Sequence, residues 1–157
     1  RGALKPPAGE PRPVELVKKI TLRPGSGDIE IEYGMTNPGA ELLEAVFAVA
    51  FNLTVLGPAD PQVGLRTSEG RTLGLSGAFV LENQKQVTVY NRRDRVDFGL
   101  AFSPRPERLI QYPVETVSQS EKGVDRTYQA TCLLPAWPVK IGPASSQKVR
   151  IVLTLSN

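Results

Sequence analysis

The 157 residues, 40% of them apolar, suffice for one domain with a buried core and are too few for two large ones. Histidine is absent, Cys132 is the single cysteine, and the net charge is a mild +3 with both signs interspersed. These counts exclude Ser-His-Asp and Cys-His nucleophile pairs, His-bearing zinc sites and an intramolecular disulfide. They also leave no basic stripe for nucleic acid, because the densest basic run, Arg92-Arg93-Asp94-Arg95, is diluted by its own Asp94 and by Asp97.

In chain order, residues 1–15 read as a linker or arm, with Pro6, Pro7, Pro11 and Pro13 favouring extended geometry. Residues 16–157 read as a single domain. From Leu16 the hydrophobic period is two, and Ile29, Ile31 and Tyr33 alternate with Glu30 and Glu32 as in a strand with one wet face. Asn37-Pro38-Gly39 marks a turn. From Glu44 to Leu56 an inward row of Phe47, Val49, Phe51, Leu53 and Val55 alternates with smaller residues, and Gly57-Pro58 ends the strand. The polar stretch from Pro61 to Gly77 reads as a long surface excursion.

Alternation returns at Val87 and Val89 and at Val96, Phe98, Leu100 and Phe102, before a corner at Ser103-Pro104-Arg105-Pro106. A short strand from Leu109 is expected to end at Pro113. Another, holding Tyr128, Ala130, Cys132 and Leu134, is expected to close at Pro135, since proline lacks the ladder donor. A last strand, Lys148 to Leu155, turns Val149, Ile151, Leu153 and Leu155 inward. Many short strands between Gly/Pro turns, with no helical stripe beyond about two turns, predict an all-β, antiparallel two-sheet β-sandwich.

The longest apolar run, Ala45 to Phe51, is far short of a bilayer span, and the N-terminus has no apolar signal core. No membrane partner is therefore expected, and with a single cysteine a cytoplasmic setting is favoured. Gly-rich phosphate loops are missing, so no cofactor is expected. Asp28, Glu30 and Glu32 are the densest acidic group, read as a solvated strand face rather than a calcium site. Glu115 and Glu121 are the pair that could be weighed as glycoside chemistry, which needs two carboxylates flanking the sugar bond. On an irregular loop their spacing fixes no distance, and a structural role for the polar loop residues is the simpler reading.

The run Tyr112-Pro113-Val114-Glu115-Thr116-Val117-Ser118-Gln119-Ser120-Glu121, followed by Tyr128-Gln129 and by Leu133, Leu134 and Trp137, resembles the C-terminal β-domain of glycoside hydrolase family 57 enzymes, the α-amylases and 4-α-glucanotransferases. Ile29 to Tyr33 and Phe47 to Leu53 resemble strands of the same domain, so the likeness spans about Leu16 to Leu155. The resemblance implies a sandwich of the galactose-mutarotase type, a supersandwich. It implies a noncatalytic domain that supports a catalytic barrel carried elsewhere in the parent enzyme and that contacts α-1,4-glucan. Candidate carbohydrate or interdomain contacts are then Glu115, Thr116, Ser118, Gln119, Ser120, Glu121 and Gln129.

Sugar rings stack on open aromatic faces, which adds Trp137, Tyr90 and Tyr112, because Tyr33 and Tyr128 fall on inward rows; Trp137, between Pro135-Ala136 and Pro138, reads either as a platform or, more simply, as a lid on the core. The alternative from another class is a self-standing carbohydrate-binding module for starch-like glucans.

Overall fold

The computed structural model describes residues 2–4, 12–55, 57, 59–120 and 123–156, and among them there are thirteen strands and no helix. The strands are β1 (Gly2–Leu4), β2 (Arg12–Leu22), β3 (Asp28–Thr36), β4 (Leu43–Ala48), β5 (Phe51–Leu53), β6 (Val63–Thr67) and β7 (Thr72–Leu73). They continue with β8 (Phe79–Glu82), β9 (Gln86–Asn91), β10 (Val96–Ser103), β11 (Arg108–Ser120), β12 (Gly123–Ile141) and β13 (Ser146–Ser156). An eight-stranded sheet runs β1-β2-β3-β13-β10-β9-β6-β7, and a five-stranded sheet runs β4-β12-β11-β8 with β5 also on β12. Every recorded pairing is antiparallel.

The period-two rows decide which faces meet. Ile31, Tyr33 and Met35 of β3, Val149 and Ile151 of β13, Leu100 and Phe102 of β10, Val87 and Val89 of β9, and Val63 and Leu65 of β6 form one inner face. Leu43, Leu81, Leu109, Leu133, Trp137, Val139 and Ile141 of the smaller sheet close it. The 44–56 row behaves as its alternation predicts: Phe47, Val49, Phe51 and Leu53 pack on the core and Val55 is buried, while Val46 opposite them is 72% exposed. It is two strands rather than one, because Val49 and Ala50 leave the ladder between β4 and β5. Leu56 and Pro58 lie outside the described residues.

Three expectations need correction. The stretch from Pro61 to Gly77 is no surface excursion: it contains β6 and β7, and Val63, Leu65 and Leu75 are fully enclosed. Neither Pro113 nor Pro135 ends a strand, since β11 and β12 run through them. Proline is tolerated where a ladder side is vacant. Pro113 lies beyond Gln111, the last β11 residue paired with β8, and Pro135 faces the break between β4 and β5. In the expected arm, β1 pairs with the start of β2, Gly2 opposite Val14 and Leu4 opposite Arg12, so both described parts of residues 1–15 are strand.

The Asn37 turn is a buried hub. Asn37, 2% exposed, donates from Nδ2 to the carbonyls of Glu41 (2.7 Å) and Ile141 (2.9 Å) and accepts from the Gly39 N–H at its Oδ1 (3.0 Å). It thereby joins the end of β3, the approach to β4 and the end of β12.

Candidate functional site

Hydrogen bonding between β11 and β12 continues past the body of the sandwich. The ladder pairs Arg108 with Ala136 and continues to Ser120 opposite Gly123, whereas the pairing of β8 stops with Phe79 opposite Gln111 and that of β5 with Leu53 opposite Thr131. From Glu115 outward the two strands therefore form a ribbon with no third strand beside it among the described residues, and its side chains are mostly exposed. A register shift between Val114 and Glu115 sets Gln129 apart as the extra residue, and it brings Tyr128 opposite Glu115 and onto the core.

Directly opposed residues share a face of such a ribbon. One face holds Glu115, Val117 and Gln119 with Val124, Arg126 and Tyr128; the other holds Thr116 and Ser118 with Asp125 and Thr127. The first face is partly apolar, with Val117 63% and Val124 65% exposed. Arg126 donates from Nη1 to Glu115 Oε2 at 3.3 Å beside them. On the other face Gln129 donates from Nε2 to Thr116 Oγ1 at 3.2 Å, and the Thr116 hydroxyl donates to the Thr127 carbonyl at 3.4 Å.

Of the seven polar candidates, Glu115, Thr116, Ser118, Gln119 and Gln129 are therefore gathered on one protruding arm. The backbone of Ser120 lies at its tip, and Glu121 lies outside the described residues. Sequence reasoning missed Val124, which adds to the apolar surface of Val117, and Arg126, which pairs with Glu115 on the same face. The signal for them is the alternation on both sides of the tip, read as a hairpin instead of an irregular loop.

The aromatic candidates separate by exposure. Trp137 is 2% exposed, its ring lies against Phe47 and Phe102 at centroid distances of 5.9 and 6.1 Å, and Nε1 donates to the Pro104 carbonyl at 2.8 Å. A sugar platform needs an open face, so of its two readings Trp137 keeps the lid on the core and is struck from the contact candidates. Tyr90 is half-buried across the ladder from Gly64, with the Arg92 guanidinium 5.1 Å from its ring centroid. It borders a shallow hollow of about 210 Å³ lined by Asp60, Pro61, Thr72 and Leu73.

Tyr112, 38% exposed, lies on the outer face of the smaller sheet opposite the buried Cys132. A hydrogen bond to Cys132, with the charge that thiol can carry, raises the pKa of the Tyr112 phenol. Tyr33 is buried, and Tyr128 shares a 2.8 Å hydrogen bond with Thr131. Burial raises the Tyr128 phenol, opposed by its hydrogen bonds to Thr131 and to the backbone of Val55.

The acidic row of β3 is engaged across the sheet. Arg150 donates to Glu30 at 2.7 Å, Lys148 to Glu32 at 3.1 Å and the Thr154 hydroxyl to Asp28 at 2.7 Å. Among the described residues no group of three acidic or thiol side chains is placed to hold a metal ion.

Two stacked antiparallel sheets with these rows make a β-sandwich, the fold of solved structures that include a galactose mutarotase-like protein from Lactobacillus casei, matched with a TM-score of 0.62 and 12% identity over 91% of this chain and 63% of that one. A putative aldose 1-epimerase from Escherichia coli K12 matches with a TM-score of 0.68 and 12% identity over 98% of this chain and 64% of that one. The Slr1438 protein from Synechocystis sp. PCC 6803 matches with a TM-score of 0.66 and 13% identity over 92% of this chain and 55% of that one. The 4-α-glucanotransferase from Thermococcus litoralis matches with a TM-score of 0.65 and 19% identity over 98% of this chain and 20% of that one. The chain thus spans between about a fifth and two thirds of these proteins. A search of curated proteins finds no match.

The α-amylase/4-α-glucanotransferase C-terminal family matches residues 2–151, and the chain belongs to that family.

Proposed function

We propose that this chain is a noncatalytic accessory domain of an α-glucan-active enzyme, a family 57 glycoside hydrolase or a 4-α-glucanotransferase. It supports the catalytic part of the parent polypeptide through the β11–β12 arm and contacts α-1,4-glucan in concert with it. The observation that carries the reading is the family match over residues 2–151 together with the place of Glu115 to Ser120 of the family-like run, on an arm outside the core. An arm with two exposed valines on one face contributes little to its own domain and fits a neighbouring surface. Glu115 is paired with Arg126, as a positioning residue would be.

The test uses the parent enzyme with Val117→Asp and Val124→Asp together. Glucan transfer or hydrolysis, or the temperature at which it is lost, is expected to fall while the isolated chain keeps its own stability. Hydrolysis of maltooligosaccharides by the isolated chain would overturn the noncatalytic reading. Retention of the isolated chain on amylose, lost in Tyr112→Ala or Tyr90→Ala, would instead make it a self-standing carbohydrate module.

A further inference from the structure

The two sheets differ in width, eight strands against five, and the excess leaves an unroofed strip over β2. Leu16, Lys18, Ile20 and Leu22 lie opposite Met35, Tyr33, Ile31 and Ile29, so they belong to the same inward row as the core of β3. Yet Leu16 is 50%, Ile20 54% and Leu22 69% exposed. Lys18 reaches over the Tyr33 ring, its Nζ 5.6 Å from the centroid. The same stretch is also a sheet edge. Among the described residues β1 covers β2 at Arg12, Pro13 and Val14, and no strand pairs with the outer side of Leu16 to Leu22. A long edge with an apolar row beside it is a template for another strand.

Direction and register identify the occupant. β1 runs antiparallel to β2, and each step toward the N-terminus of β1 advances one residue toward Leu22: Leu4 faces Arg12, Ala3 faces Pro13 and Gly2 faces Val14. Carried past its N-terminal end, this register lays polypeptide along Leu16 to Leu22. We propose that in the parent enzyme the segment immediately N-terminal to β1 extends that strand along the free edge of β2, and that apolar residues on it or just before it roof Leu16, Ile20 and Leu22. The inference rests on the accessory-domain reading, since it requires polypeptide upstream. It adds where the two parts are joined: by strand continuation as well as through the arm.

Hydrogen–deuterium exchange of peptides covering Leu16 to Leu22 tests this in two molecules, the parent polypeptide and the 157-residue chain. Exchange is expected to be at least about tenfold slower in the parent, and to quicken there in Ile20→Lys plus Leu22→Lys while peptides of β9 and β10 stay protected. Equal exchange in the parent and in the short chain overturns the proposal and leaves the accessory-domain reading standing. Concentration-dependent protection in the short chain, accompanied by dimer formation, assigns the edge to a second copy and also overturns it. A gene product with no upstream polypeptide would overturn both.

Discussion

Trp137 Nε1 donates to the carbonyl oxygen of Pro104 at 2.8 Å, fastening β12 of the smaller sheet to the turn that leaves β10 of the larger one. The bond satisfies the indole N–H in a site otherwise lined by Phe47 and Phe102. Replacement by alanine is expected to cost about 3–5 kcal/mol, and by phenylalanine about 1–3 kcal/mol because the Pro104 carbonyl loses its partner. Urea unfolding checks both. As the chain's single tryptophan, Trp137 also reports directly: native emission should be blue-shifted and poorly quenched by acrylamide. Strong quenching would place the ring in water and reopen it as a sugar platform.

Asn37 is expected to be the costliest polar side chain to remove. One amide group bridges the Glu41 and Ile141 carbonyls while its oxygen accepts from Gly39, and the residue is 2% exposed. Asn37→Ala leaves these backbone groups without partners, at about 1–3 kcal/mol for each one left buried. Asn37→Asp keeps the acceptor but points a carboxylate at carbonyls, so it should be at least as damaging. Denaturant midpoints within about 0.5 kcal/mol of wild type for either variant would contradict the hub.

How much of this was legible depends on whether one strand or two wrote the signal. The rows of β3, β4, β5 and β13 are period-two patterns inside single segments, so Ile31, Phe47, Phe51 and Val149 could be placed inward from sequence. The β11–β12 hairpin was hidden because its ladder runs through Pro113 and Pro135 and β12 continues through Pro138, prolines that are punctuation in a sequence but harmless beside a vacant ladder side. β6 was hidden because Gly64 interrupts the pattern between Val63 and Leu65. Glu115, Thr116, Ser118 and Gln119 fall on the arm because they are neighbours in sequence, but the residues that face them across the tip, Val124 and Arg126 among them, depend on a register that only pairing fixes.

That glycine makes its own prediction. A Cβ at Gly64 would stand 2.5 Å from the Tyr90 hydroxyl oxygen and 2.8 Å from the carbonyl oxygen of Leu73. The tyrosine can swing aside, but the Leu73 carbonyl belongs to the backbone of β7 and moves only with it. Gly64→Ala should therefore destabilise by about 1–3 kcal/mol, and Gly64→Ala with Tyr90→Ala should recover only part of that loss. Full recovery would show that the ring was the sole obstacle.

The arm should behave in the opposite way. The Arg126–Glu115 pair is well exposed on the Arg126 side, and exposed pairs are worth about 0–1 kcal/mol. Arg126→Ala, or Val117→Asp with Val124→Asp, should change the isolated chain's unfolding free energy by less than about 1 kcal/mol, measured in urea. A larger loss would give the ribbon a structural role in its own domain and weaken the case that its exposed face serves a neighbour.

Alkaline pH should expose the buried phenol of Tyr128. Its folded pKa is raised above 10.0 mainly by burial, so the native state holds the phenolic proton more tightly than the unfolded chain does. The contribution is fully present below the unfolded value. It begins to fall as pH passes that value and is lost as pH rises through the folded one. Tyr112 is raised too, through Cys132, and acts in the same direction from the outer face of the sheet. The two are separable. Tyr128→Phe is expected to flatten the loss of stability above pH 10, at a cost near neutrality of about 0.5–1.5 kcal/mol for the hydrogen bond to Thr131. Tyr112→Phe should flatten its own share and cost less, because that ring is more than a third exposed. Urea midpoints followed from pH 8 to pH 11 check the assignment, and a Tyr128→Phe curve that falls as steeply as wild type would refute it.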